Sequence, residues 1–263
     1  DILVKYLETR SGLLMGRREN VYAFPHRSFQ EYLAACHLAT VKQDMALTLR
    51  ELVYNDLTWW REVFLLGVGK KRLGGLGGAV GVVQTLVPDE VAYAENIRET
   101  DWQAAVLAGQ AILEMRLQER APGEKTFKVV IDRVCRWLVK IVEDGLLTPA
   151  QHLEAADTLA ALGDPRFDEK HLHLPSTLRG QPEPLLGFVK IPAGTFTMGS
   201  AKDDKDAYDD EKPAHPVTLS DFWMARYLVT NAQYHHFIEA DGYNSEKYWT
   251  PAGWAWRQGE NFD

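Results

Sequence analysis

From Ile2 to about Gly163, apolar positions recur at helical spacing, in stripes broken by short polar or glycine-containing stretches, so the pattern predicts an all-α half. Ile2, Leu3, Tyr6 and Leu7 already follow that spacing with no start signal before them. This reads as a chain whose upstream part lies elsewhere. Leu47, Leu49, Leu52, Val53 and Leu57, then Trp60, Val63, Phe64 and Leu65, predict helices packed side by side. Three further helical groups run from Trp102 to Met115, from Phe127 to Val142 and from Pro149 to Leu162. Serial amphipathic helices of this kind suit a helical solenoid of HEAT-like repeats, although no period stands out.

Between Asp164 and Gly187 the texture changes. Pro165, Pro175, Pro182 and Pro184 lack the amide donor that helix and sheet need, which predicts a linker. Beyond it come short strand-like runs at Phe188–Ile191, Thr195–Met198, Val217–Leu219 and Phe222–Met224, with Pro192, Gly194 and Gly199 supplying turns. Thr230 and Gln233 have the spacing of a capping box, so a helix should follow with Tyr234, Phe237 and Ile238 on its apolar face, ending at Asp241-Gly242. The fold class is α+β: an all-α half followed by a mixed α/β part.

The 263 residues suit two modest domains, and 46% hydrophobic with 25% charged residues is the composition of an ordinary folded protein. A net charge of -8 argues against nucleic acid as partner, because phosphate binding rests on clustered Lys and Arg. No run of about 18 apolar residues and no export signal occurs, so no membrane partner is expected. With Cys36 and Cys135 alone no disulfide framework can be argued, and a reducing, cytoplasmic setting is expected.

Ser28 and Glu31 also fit a capping box, predicting a helix from Ser28 that buries Phe29, Tyr32, Leu33 and Cys36. His26 then precedes a helix N-terminus, whose free amides and partial positive potential suit an anion. On the residues alone, a capping or packing role is the commoner one for such a histidine. The run Phe24-Pro25-His26-Arg27-Ser28-Phe29-Gln30-Glu31-Tyr32, after Ser11-Gly12-Leu13-Leu14, resembles the end of the winged-helix region in NACHT-type (STAND) signalling NTPases. The resemblance implies that His26 contacts the diphosphate of ADP in a closed state. ATP or ADP would bind a core upstream of Asp1, through which self-assembly would also occur. Gly67-Val68-Gly69-Lys70-Lys71 does not replace that core, because it lacks the earlier Gly and the Ser or Thr of a phosphate loop. Gly74, Gly75, Gly77, Gly78 and Gly81 fail as a dinucleotide loop, since Val80 occupies the third glycine site, and read as a flexible inter-helix turn.

Gly187-Phe188-Val189-Lys190-Ile191-Pro192-Ala193-Gly194-Thr195-Phe196-Thr197-Met198-Gly199-Ser200 resembles the opening of the formylglycine-generating-enzyme (sulfatase-modifying factor) family. Glu211, Pro213, His215 and Val217-Thr218-Leu219 fit it too, as do Phe222-Trp223-Met224, Val229-Thr230-Asn231 and Gly253-Trp254-Ala255-Trp256. The resemblance implies a C-type-lectin-like fold, here truncated. It also implies an oxidoreductase acting with O2, with copper on a cysteine pair or iron as cofactor, although some relatives have no known catalysis. No cysteine follows Cys135, so no catalytic residue is assigned. The acidic run Asp203, Asp204, Asp206, Asp209, Asp210 and Glu211 misses the calcium-loop pattern, and the pairs His171/His173 and His235/His236 lack a third ligand at a recognisable spacing. No metal site is assigned.

The expected organisation is thus residues 1–44 as the end of a NACHT winged-helix region, 45–164 helical, 165–186 linker, and 187–263 the first part of a sulfatase-modifying-factor-like domain. The expected function is that of a C-terminal fragment of a bacterial-style NACHT signalling ATPase. Its terminal domain would be a recognition or effector module for a protein or small-molecule ligand. The alternative is a metal-dependent oxidase of protein cysteine.

Overall fold

The computed structural model describes residues 5–7, 12–18, 21–41, 44–120 and 123–259. Ile2, Leu3 and Ser11, named above for their spacing, lie outside the described residues. The chain divides into two units, Asp1–Asp164 and Pro165–Asp263. It is α+β, helical in the first unit apart from one hairpin, with small sheets in the second. No helix among the described residues is long and apolar enough to cross a membrane.

The first unit opens with an antiparallel hairpin, β1 (Met15–Arg18) and β2 (Val21–Ala23), paired Met15 to Ala23 and Gly16 to Tyr22. Helix α1 (Arg27–Val41) follows and packs on α3 (Leu57–Leu73). Its buried positions are Ala35 and Leu38, with Ala34 and Ala39 beside them. This corrects the expected stripe: Phe29, Tyr32 and Leu33 are exposed and Cys36 is half-buried. The small residues let the two helix backbones approach, which turns the aromatic face outward. Ser28 is not the cap either. The helix already starts at Arg27, and Arg27 holds Glu31 at 2.7 Å instead of leaving it to reach back.

Helix α2 (Met45–Asn55) starts where the Asp44 carboxylate accepts from the Leu47 amide, and α3 where Asp56 accepts from the Trp59 amide, each satisfying an otherwise orphaned donor. The two helices cross closely at Gly67, where a β-carbon would lie 2.8 Å from Met45 Cε. The glycine run is shorter as a turn than expected. Only Gly74 and Gly75 turn, with φ at Gly75 of 121°, and Gly77, Gly78 and Gly81 lie inside α4 (Leu76–Gln84). Burial of Ala79, Val80, Val82 and Val83 outweighs the helix cost of those glycines, about 1 kcal/mol each.

Helices α5 (Glu99–Met115), α6 (Leu117–Arg120), α7 (Lys125–Asp144) and α8 (Pro149–Leu162) complete the unit. In α7, Val130, Val134, Leu138 and Ile141 form a buried stripe at helical spacing, and Gly145 ends the helix in the left-handed region at φ 64°. Thr148 and Gln151 form a capping box for α8, with Pro149 in the first turn. Among the described residues, every position of the buried apolar core, from Ala35 to Leu162, belongs to this unit.

In the second unit the proline-rich stretch is itself folded. A 3-10 turn at Glu169–His171 is followed by the small pair β3 (Thr177–Leu178) and β4 (Gln181–Pro182). Two antiparallel ribbons come next. β5 (Phe188–Ile191) pairs with β8 (Phe222–Ala225), and β6 (Gly194–Met198) pairs with β7 (His215–Leu219). Helices α9 (Asn231–Glu239) and α10 (Pro251–Gly259) close the described part.

Candidate functional site

The hairpin delivers the chain through Phe24 and Pro25 to His26, directly ahead of α1. His26 is exposed, and its carbonyl accepts from the Phe29 amide at 3.2 Å, the first turn closing on it. The neighbouring Arg27 anchors this end. Its guanidinium lies 4.4 Å from the Trp59 ring and Nη2 donates to the Trp59 carbonyl at 3.2 Å. The helix start is thus fixed in direction with His26 at its tip, and the described residues around it do not by themselves fit a nucleotide, since no phosphate loop is present.

In the second unit, two motif segments about a dozen residues apart are brought together at Gly199. The Ser200 amide donates to the Glu211 carbonyl at 2.8 Å, and the Ala214 amide donates to the Ser200 carbonyl at 2.8 Å. Gly199 sits at φ 88°, and a β-carbon there would fall 2.6 Å from the Glu211 oxygen, so only glycine fits. The Lys212-Pro213 peptide is cis, and the His215 ring Nδ1 lies 3.0 Å from the Pro213 carbonyl. Thr195 and Thr218 hydroxyls meet across the β6–β7 ribbon at 2.8 Å.

The Thr230/Gln233 capping box forms as its spacing predicts, and the Gln233 side-chain amide also reaches the His173 carbonyl at 2.9 Å. The segment before β3 is thereby tied to α9. The tie extends to the rings of His173 and His236, which stack with centroids 5.6 Å apart. Sequence reasoning missed this pairing, because nothing in local spacing signals a contact between such distant positions. Tyr234, Phe237, Tyr243, Tyr248, Trp249 and Trp254 form a chain of ring contacts, and Trp249 Nε1 donates to the Gly242 carbonyl at 2.8 Å.

Three histidines lie beside carboxylates: His171 by Asp168 at 3.8 Å, and His235 and His236 by Glu239 at 3.3 and 3.8 Å. The acidic run is an exposed loop in which Asp204 accepts from the Asp206 amide and Glu211 from the Tyr208 amide. Among the described residues no three His, Cys, Asp or Glu side chains gather as a ligand set. With no cysteine after Cys135, the residues described do not fit a copper or iron centre.

Most of the perturbed groups lie in the helical unit; in the second unit the hydrogen bond with Tyr243 raises the Tyr234 phenol. Burial pushes the Cys135 thiol up to about 12, and burial with the hydrogen bond that its hydroxyl donates to Asp101 pushes the Tyr54 phenol up to about 12. Burial, with Glu62 nearby, raises Glu114, whereas hydrogen bonds from Arg136 hold Glu90 below the usual carboxylate range.

Residues 175–263 match the family described as the sulfatase-modifying factor enzyme 1-like domain, and residues 1–38 match the winged helix-turn-helix domain C-terminal to NACHT. The chain is 41% identical over 71 residues to a hercynine oxygenase of Mycolicibacterium smegmatis, covering 27% of this chain and 17% of that protein. It is 42% identical over 67 residues to the formylglycine-generating enzyme of Bos taurus, covering 26% of this chain and 18% of that protein. It is also 42% identical over 71 residues to that of Thermomonospora curvata, covering 26% and 22%. The chain therefore spans less than a quarter of the length of these curated relatives and matches no solved structure.

Proposed function

We propose that this chain is part of a NACHT-type signalling ATPase and that its sulfatase-modifying-factor-like region, of C-type-lectin-like fold, serves as a recognition or effector module. The observation that carries this reading is the presence, in one chain, of a match to a domain C-terminal to NACHT and a match to a sulfatase-modifying-factor domain. The helical region between them, read as HEAT-like, is the sensor or spacer. His26 at the tip of α1 restrains the switch by contacting the diphosphate of ADP held by a NACHT core. The setting is the cytoplasm, with self-assembly through that core and a protein or small-molecule ligand on the terminal domain.

The test uses a protein carrying the NACHT core. His26→Ala should speed ADP release, and a release rate equal to wild type would remove His26 from the switch. Recognition without catalysis also predicts that copper-loaded protein leaves a Cys-x-Pro-x-Arg peptide unchanged by mass.

A second reading, oxidation of protein cysteine by a metal-dependent oxidase, is favoured by the relatives named formylglycine-generating enzyme and hercynine oxygenase. The described side chains do not hold its metal, so no step is assigned to them. Formylglycine appearing in the peptide assay would establish this reading over the first.

A further inference from the structure

The helical unit contains a cleft that neither motif accounts for. It lies between α2, the end of α4 and α7, has a volume of about 510 Å³, and is lined by Leu47, Arg50, Gln84, Thr85, Pro88 and Arg133. That volume falls within the range of small-molecule sites, roughly 300 to 1,000 Å³. Two of the lining side chains are guanidinium groups and none is acidic, in a chain whose net charge is -8. The lining residues are thus net positive, with Glu90 paired to Arg133 beside them.

Of the two arginines, Arg50 is the one without a carboxylate partner among the described residues. Its guanidinium lies 4.7 Å from the Tyr54 ring. Stacking on a ring leaves the edge of the guanidinium, where its donors lie, open to the cleft. Arg133 donates through Nη1 to the Val87 carbonyl at 3.2 Å and to the Pro88 carbonyl, which fixes the wall of the cleft. Its Nε is buried with no hydrogen-bond partner. Glu90 forms an ion pair with that Nε at 3.7 Å, while its oxygens accept hydrogen bonds from Arg136 at 2.7 and 2.6 Å.

We propose that this cleft binds a small organic anion, with a carboxylate or phosphate held by Arg50 and Arg133 and a short apolar part against Leu47 and Pro88. Arg50 supplies the planar fork that both oxyanions fit in bidentate fashion, and Arg133 supplies a second, fixed positive charge. Gln84 gives the site an amide that can donate to a second oxygen. Leu47 is half-exposed, as expected of an apolar rim that a ligand body would cover. The site gives the helical unit a ligand of its own, independent of whatever the terminal domain recognises.

The experiment titrates the whole chain with inorganic phosphate and, separately, with succinate, at constant ionic strength set by chloride, and follows binding by calorimetry and by the thermal midpoint. Saturable binding of either probe is expected, and the tighter of the two identifies the oxyanion. Arg50→Ala should weaken it by about tenfold or more, the loss expected for a charged hydrogen bond. Arg50→Lys should fall between, since it keeps the charge and loses the fork. Leu47→Glu places a carboxylate at the rim while leaving both arginines, and should abolish binding in a protein whose circular dichroism is unchanged. No saturable binding of either probe overturns the proposal, as does binding of equal strength in wild type, Arg50→Ala and Leu47→Glu.

Discussion

A β-carbon on Gly109 of α5 would fall 2.6 Å from the Cγ2 methyl of Thr158 in α8, so these helices meet where only a hydrogen fits. Thr158 cannot turn away freely, because its hydroxyl donates to the Glu154 carbonyl at 2.7 Å. Leu138 Cδ1 at 3.3 Å and Leu162 Cδ1 at 3.4 Å close the other sides. Gly109→Ala should therefore destabilise the protein by about 1–2 kcal/mol, even though alanine is the better helix former by about 1 kcal/mol. Thr158→Ser keeps the hydroxyl and removes the obstructing methyl. In that background Gly109→Ala should cost little or become stabilising, as read by urea denaturation of the four proteins. An equal loss in both backgrounds would place the crowding elsewhere.

Glu90 joins the chain after α4 to α7 through both its oxygens and the Arg136 guanidinium. Those hydrogen bonds favour the charged carboxylate and hold its pKa below the ordinary value of 4.5. The stability from this pair is complete above pH 4.5 and is lost as pH falls through the depressed folded value, since the unfolded chain takes up the proton first. Glu90→Gln should cost about 1 kcal/mol near neutrality, as befits a partly exposed bidentate pair. The gap between variant and wild type should narrow in acid. A gap independent of pH would mean that the charge of Glu90 contributes nothing.

The two cysteines should behave oppositely. Cys135 is buried in α7 with its thiol pushed up to about 12, whereas Cys36 is half-buried on α1. A thiol-specific reagent at pH 8 should label Cys36 in the folded protein and reach Cys135 only after denaturation. Above pH 9.0, the ordinary thiol value, the unfolded chain loses the Cys135 proton while the folded chain keeps it, so stability falls with rising pH up to about 12. Cys135→Val should make that alkaline decline shallower by up to about 1.4 kcal/mol per pH unit. Tyr54, also raised to about 12, keeps the slope from vanishing.

What the sequence discloses here is whatever depends on near neighbours in the chain. The helix read from Phe127 to Val142, the strands at Phe188–Ile191 and Phe222–Met224, and the Thr230/Gln233 cap are all local patterns, and all are present. The Ser28/Glu31 spacing misled because Arg27, one turn before Glu31, competes for its carboxylate. The face of α1 was misjudged because packing on α3 selects the alanines, a choice that amphipathic spacing cannot reveal. Gly77, Gly78 and Gly81 look like a loop until tertiary burial of the valines beside them holds the helix together. The His173–His236 stack and the Arg50–Arg133 cleft join distant segments, and single-sequence periodicity carries no trace of either.

The second unit has little holding it together from within. Among the described residues of Pro165–Asp263, only Pro175, Gly187 and Gly242 are buried, and two of these have no side chain to bury. Its aromatic and aliphatic groups, Trp223, Met224, Leu228 and Val229 among them, face outward. The β5–β8 and β6–β7 ribbons are two-stranded, so every strand keeps an unpaired edge among the described residues. Ordering a residue costs about 1–2 kcal/mol of backbone entropy, and apolar burial is the main term that offsets it. Isolated two-stranded ribbons are marginal for the same reason. Pro165–Asp263 expressed by itself should therefore melt broadly, bind a hydrophobic dye at room temperature and associate through its strand edges. Asp1–Asp164, which holds the buried apolar core of the described residues, should instead give a single sharp transition. Scanning calorimetry of the two pieces distinguishes them directly. A cooperative transition in Pro165–Asp263, with no dye binding, would mean that its ring contacts around Phe237 and Trp249 supply a core that burial of whole residues does not reveal.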